Sequence, residues 1–189
     1  MEIDVILEWS AVILTLAYVW LATKEDIRCW YLGGAAAVLS IFLFVMKGLY
    51  AESFLYFIYA VMAVWGFITW EKGGDDGPIL SYGYPAHLGL IMVASILAVI
   101  VYWIFGHLPG AEKPALDAST TGFSLLATWL TIRKELHNWV YWIIIDVVTA
   151  WMYHSREMPI YAALMLVMSI MAVYGFIQWR KDYIQQDYA

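Results

Sequence analysis

Apolar positions dominate seven stretches of this chain, at residues 3–22, 29–46, 53–70, 84–106, 117–132, 138–153 and 158–179. Polar breaks separate them: "TKEDIR", "KGLYAES", "EKGGDDGP", "LPGAEKPALD", "RKELH" and "HSREMP". A helix needs about 20 residues to cross the hydrocarbon layer of a bilayer. Unpaired backbone groups are costly in lipid, so runs of this length predict helices and not open strands. The expected fold class is therefore an all-α integral membrane protein with seven transmembrane helices.

The pattern also repeats. "MAVWGFITWEK" at residues 62–72 returns as "MAVYGFIQWRK" at 171–181, with eight of eleven positions identical. The offset of 109 holds upstream without a gap, matching Trp20 with Trp129, Trp30 with Trp139, and Trp70 with Trp179. Shared composition alone would not hold three tryptophan pairs in one frame, so the chain is read as a duplicated unit. A three-helix unit ends on the opposite side of the membrane from where it began, and a fourth helix restores the orientation for a second copy. The expected organisation is a first repeat at residues 1–72, a linker helix at 73–109 and a second repeat at 110–189, a 3+1+3 parallel plan. Parallel repeats of this kind are a transporter architecture, with a substrate site expected near the midplane between the halves. The first run lacks a basic leader and a small-residue cleavage site and belongs to the repeat, so it is expected to stay in the mature chain.

Composition agrees: 63% of the 189 residues are hydrophobic and 14% charged, more apolar than an ordinary soluble domain. With the N-terminus outside, seven Lys and Arg fall in cytoplasmic segments (Lys24, Arg28, Lys72, Arg133, Lys134, Arg180, Lys181) and three outside (Lys47, Lys113, Arg156). That bias predicts an external N-terminus and a cytoplasmic C-terminus. The net charge of −6 leaves no basic footprint for nucleic acid.

The candidate chemistry sits in "NWVYWIIIDVVTAWMY", residues 138–153. Trp139, Trp142, Asp146, Thr149 and Tyr153 follow spacings of three, four, three and four, which places them on one helical stripe. A carboxylate in mid-membrane costs about 2.5–3.5 kcal/mol on insertion scales and normally faces a cavity or a partner. Two indoles and an anion suit a flat cationic or electron-poor ring. At the same stripe the first repeat carries Trp30, Gly33, Ala37, Ser40 and Phe44, so bulk and charge in one copy face small residues in the other. Gly66 and Gly175, in the repeated "GFI", are expected to give close contacts or bends.

The four histidines, His87, His107, His137 and His154, lie near helix ends without the spacing of a ligand cluster, so no metal is expected. Cys29 is alone and no intrachain disulfide forms. "EKGGDDGP" reads as a turn and hinge and lacks the context of a phosphate loop. An intramembrane enzyme would need an acid/base pair, an activated nucleophile or a metal, and "GFSL" around Ser124 is no nucleophile elbow. No catalytic residue and no cofactor are expected; a membrane scaffold without transport is the remaining rival class.

These residues resemble the Pnu family of bacterial vitamin transporters across essentially the whole chain. The likeness rests on the length, the seven helices in parallel halves, Trp139, Trp142 and Asp146 in the sixth helix, and "DASTTGFSLLATWL" leading into "RKELHNW". It implies a SWEET-like multi-pass protein of the bacterial inner membrane that takes up a vitamin by facilitated diffusion. A cytoplasmic vitamin kinase, as functional partner, would trap the product. By position, the family's sixth-helix motif of two tryptophans followed by Asn or Asp falls on Trp139, Trp142 and Asp146. The resemblance also points to Thr69, Gln178 and Thr128, where family members often carry amides. Asn138, Thr149, Trp129 and Trp30 complete the candidate substrate contacts. Thr69 and Thr128 in place of amides tilt the expected substrate toward thiamine, with nicotinamide riboside the alternative and riboflavin third. The oligomeric state, a homo-oligomer included, is left open.

Overall fold

A computed structural model describes residues 2–73, 77–105 and 114–186, the side chains of residues 2–4, 50 and 51 excepted. It contains seven helices: α1 (Glu2–Ala22), α2 (Cys29–Met46), α3 (Tyr50–Gly73), α4 (Tyr84–Phe105), α5 (Pro114–Ile132), α6 (Asn138–Ser155) and α7 (Pro159–Gln186). Each coincides with one predicted run, and the fold is all-helical as expected. The "EKGGDDGP" hinge falls partly, and His107 wholly, outside the described residues.

The helix starts follow local chemistry. Pro114 and Pro159 occupy the first positions of α5 and α7, where a missing N–H costs nothing and the fixed φ suits the helix. Asp117 lies in the first turn of α5 and Glu52 in that of α3, both favourable at the positive end of a helix dipole. The main departure from the apolar pattern is α7, which continues past residue 179 to Gln186. There the Gln186 side chain clasps the Ile79 backbone, accepting from its N–H at 3.1 Å and donating to its carbonyl at 2.7 Å.

Five helices, α1, α2, α3, α4 and α7, are long and apolar enough to cross a membrane by length and composition. The other two are too polar for that description, and they carry most of the candidate site. α5 holds Asp117, Ser119, Ser124 and four threonines, and α6 holds Asn138, Asp146 and Thr149. α5 is also deeply buried, with Ala127, Leu130 and Ile132 at 0% exposure.

The described chain forms two compact units, residues 1–78 and 79–189. In the first, α2 packs against both α1 and α3. In the second, α4 packs on α5, α5 on α6 and α6 on α7. Gly122 sets the approach of α4 to α5, since a Cβ there would lie 2.7 Å from the backbone nitrogen of Ala98.

Two turns recur at the offset of 109. Backbone φ is positive at Glu25 (54°) and Lys134 (50°), and again at Gly48 (73°) and Glu157 (59°). In each case the chain leaves its helix through the same double hydrogen bond, a Schellman motif. Leu49 N–H donates to Phe44 O at 2.8 Å and Gly48 N–H to Val45 O at 3.0 Å. Met158 N–H to Tyr153 O and Glu157 N–H to His154 O repeat it. Asp26 and Glu135, donating to Leu21 O and Leu130 O, close the other pair. The left-handed conformation costs an L-residue about 1–2 kcal/mol. Nothing lies within 4 Å of a Cβ built at Gly48, so Gly48→Ala should lower stability in detergent through backbone strain alone, by about 1 kcal/mol. A thermal melt reads this directly; an unchanged melt would mean that the turn relaxes.

Candidate functional site

The predicted stripe is the inward face of α6. Trp139 and Asp146 are buried and Trp142, Thr149 and Tyr153 half-buried, whereas Val140, Ile144, Val147 and Trp151 on the opposite side are exposed. This split follows from helical periodicity acting on "NWVYWIIIDVVTAW".

The two tryptophans of the motif have different surroundings. Trp139 meets Trp179 edge to face, with ring centroids 5.3 Å apart and planes at 87°. Its indole also lies where a Cβ on Gly175 would approach to 2.7 Å. Trp30 repeats this in the other unit, at 5.4 Å and 87° from Trp70 and 2.5 Å from a Cβ on Gly66. Both Nε1 atoms are buried and have no hydrogen-bond partner among the described residues. Glycine and indole thus form a matched pair, and the close contact expected of Gly66 and Gly175 is with the tryptophan of the preceding helix.

Trp142, by contrast, has no aromatic neighbour among the described residues. Its Nε1–H donates to Thr131 Oγ1 over a long 3.4 Å, which fixes the edge of the ring while leaving its faces without stacking partners. Thr131 in turn bonds to Ala127 O at 2.9 Å and lies 3.1 Å from Asn138 Oδ1. Asn138 closes the chain by donating from Nδ2 to Glu135 O. Asn138 is therefore a buried strut that steadies Trp142 through Thr131. Asp146, one turn further along α6 and 8% exposed, has no hydrogen-bond or ion-pair partner among the described residues.

The remaining candidates are more scattered. Thr128 and Thr69 both spend their hydroxyl protons on their own helices, at Ser124 O and Trp65 O, each at 2.8 Å. Gln178 is half-buried and accepts from Lys181. Trp129 packs against the Ala94, Leu126 and Leu130 core. Thr131 was not among the sequence candidates. Its signal is the polar stripe Ser124, Thr128, Thr131 along α5, at spacings of four and three.

The histidine expectation needs correction. His87 and His137 meet around Glu135, their rings 4.9 Å apart. The cause is a short parallel bridge between Leu80 and Glu135: Leu80 N–H donates to Lys134 O and Leu136 N–H to Leu80 O, each at 2.8 Å. This carries the start of α4 onto the α5–α6 turn, across a separation in sequence that helical spacing cannot reveal.

Comparison with known proteins bears on all of this. A nicotinamide riboside transporter, PnuC, from Neisseria mucosa is 32% identical over 99 residues, covering 49% of this chain and 37% of that relative. The matched stretch thus spans little more than a third of the relative's length. A solved structure titled "Crystal structure of the Vitamin B3 transporter PnuC" superposes with a TM-score of 0.77 over 95% of this chain and 82% of the other, at 20% identity, a likeness of fold. The profile described as "Nicotinamide mononucleotide transporter" matches residues 5–181, nearly the whole length, and the chain accordingly belongs to that family.

Proposed function

We propose that this protein is a multi-pass membrane carrier for a pyridinium nucleoside of the nicotinamide riboside kind, moved by facilitated diffusion. The observation that carries this reading is the pairing of Trp142, whose ring faces lack stacking partners, with Asp146, a buried carboxylate without a counter-ion among the described residues. A flat cation satisfies both, one by stacking and cation–π attraction and the other by charge. The names of the similar proteins support the nicotinamide riboside alternative over thiamine. The thiamine preference rested on Thr69 and Thr128, whose hydroxyl protons are taken up by their own helix carbonyls. Their difference from amides is accordingly a weak guide to the substrate.

In this reading Trp142, Asp146 and Thr149 touch the vitamin, while Trp139 and Asn138 steady the helix that presents them. The carrier sits in a bacterial inner membrane with its N-terminus outside, built as repeats 1–72 and 110–189 around the linker 73–109, and a cytoplasmic kinase traps the product. Uptake should be measured in proteoliposomes offered labelled nicotinamide riboside and labelled thiamine separately, with and without imposed proton or sodium gradients. Nicotinamide riboside is expected to equilibrate without accumulating. Preferential uptake of thiamine would overturn the substrate, and gradient-driven accumulation would overturn the passive mechanism. No uptake of either would favour the scaffold.

A further inference from the structure

We infer that His87, Glu135 and His137 form a binding site for a divalent transition ion of the Zn(II) type, at the junction of α4 with the α5–α6 turn. Glu135 is 0% exposed. Its Oε1 accepts from Tyr82 N–H at 3.2 Å and lies 2.8 Å from His137 Nδ1 and 3.7 Å from His87 Nε2. Among the described residues its buried Oε2 has no hydrogen-bond partner, and neither has the buried His87 Nε2. One ligand atom from each residue falls within 4.8 Å of the other two. Bonds of about 2.1 Å to a four-coordinate ion hold ligand atoms about 3.4 Å apart, so small side-chain rotations bring the three into range. Two imidazoles and a carboxylate, with a solvent molecule as fourth ligand, are a donor set that suits zinc and its neighbours.

Two further observations favour a metal over a simple hydrogen-bonded cluster. His87 Nδ1 lies 3.2 Å from Tyr141 Oη. With Nδ1–H donating to that phenol oxygen, a bare Nε2 faces Glu135, the outer-shell arrangement of a metal-bound histidine. The repeat supplies the second. At the offset of 109, Asp26 and Arg28 stand where Glu135 and His137 do. In the first copy a guanidinium engages both carboxylate oxygens, at 2.9 and 3.0 Å from Nε, and holds the Asp26 carboxyl below its usual range. In the second copy His137 stands where that guanidinium was, the acid is fully buried, and two imidazoles face it. A divalent ion held between them would give Glu135 the cationic partner that Arg28 gives Asp26.

The proposal is independent of the vitamin and is tested without it. Tag-free, chelator-treated protein in detergent should be titrated with Co(II) and followed in the visible. We expect saturable d–d bands of a four-coordinate site at one ion per chain, displaced by Zn(II). His87→Gln and His137→Gln should abolish the bands, and Tyr141→Phe should weaken binding by about tenfold or more. His154→Ala, at the exposed far end of α6, should leave them intact. Featureless spectra from the native protein, or bands that survive both histidine substitutions, overturn the site. If the histidine variants do not remain monodisperse, the native titration and Tyr141→Phe decide it, and unweakened binding in Tyr141→Phe counts against the geometry.

Discussion

Gly175→Leu is expected to prevent α6 and α7 from closing, and even Gly175→Ala should destabilise the protein by about 1–3 kcal/mol, the usual cost of an overpacked core. The added Cβ would meet Trp139 at 2.7–2.8 Å across three ring atoms. The indole has little room to retreat, because it is itself buried and held edge to face against the fully buried Trp179. Gly66→Ala should behave alike, with its clash at 2.5 Å against Trp30. Chemical or thermal denaturation in detergent measures the loss, and a compensating variant separates this mechanism from general damage. Trp139→Phe shortens the ring and removes a buried Nε1–H without a partner, whose burial is unfavourable. The double variant Gly175→Ala with Trp139→Phe should therefore recover part of the lost stability, a coupling expected only of residues in contact. Additive effects would show that glycine and indole are not a matched pair.

The second large effect is on ligand binding. Trp142→Ala should weaken nicotinamide riboside by about ten- to a hundredfold, equivalent to the 1–3 kcal/mol typical of stacking a base on an aromatic ring. Trp142→Phe should retain part of the affinity. Asp146→Asn acts through charge. At an effective dielectric of about 20, a carboxylate about 5 Å from a pyridinium contributes up to about 3 kcal/mol, so the cation should lose more affinity than its reduced, neutral dihydropyridine analogue. Calorimetric titration of folded, monodisperse variants with both ligands reads the two effects separately. Equal losses for both ligands would remove Asp146 from the charge-recognition role; full affinity in Trp142→Ala would place stacking elsewhere.

Much of this architecture is legible from periodicity. The seven runs locate all seven helices because a long stretch rich in apolar residues leaves the backbone no better way to satisfy itself in lipid, and this holds for α5 and α6 despite their polar side chains. Spacings of three and four identify the buried face of α6, from Trp139 to Asp146, because helix geometry alone decides which residues share a side. The register of 109 makes Trp30 and Gly66 the counterparts of Trp139 and Gly175, and the two pairs make the same contact. What periodicity does not carry is the use made of each side chain. Trp139 and Trp142 look alike in sequence, yet one is enclosed by Gly175 and Trp179 while the other stands without an aromatic neighbour. That difference is set by α7, about forty residues downstream. The meeting of His87 and His137 depends on the Leu80–Glu135 bridge, and no helical spacing relates residues joined through an irregular segment.

The polarity of α5 and α6 has a consequence for biogenesis. These are the two helices that composition alone would not assign to lipid, and in α6 the carboxylate of Asp146 adds its own penalty to insertion as a lone segment. They are synthesised after the very apolar α4 and just before the long α7, and each packs on its neighbours in sequence. A nascent chain can therefore hold α5 against α4 as it leaves the ribosome, then add α6 and seal it with α7. The order of translation hands the least lipid-compatible segments to partners made immediately before and after them, so each polar face passes from the insertion machinery to protein and not to hydrocarbon.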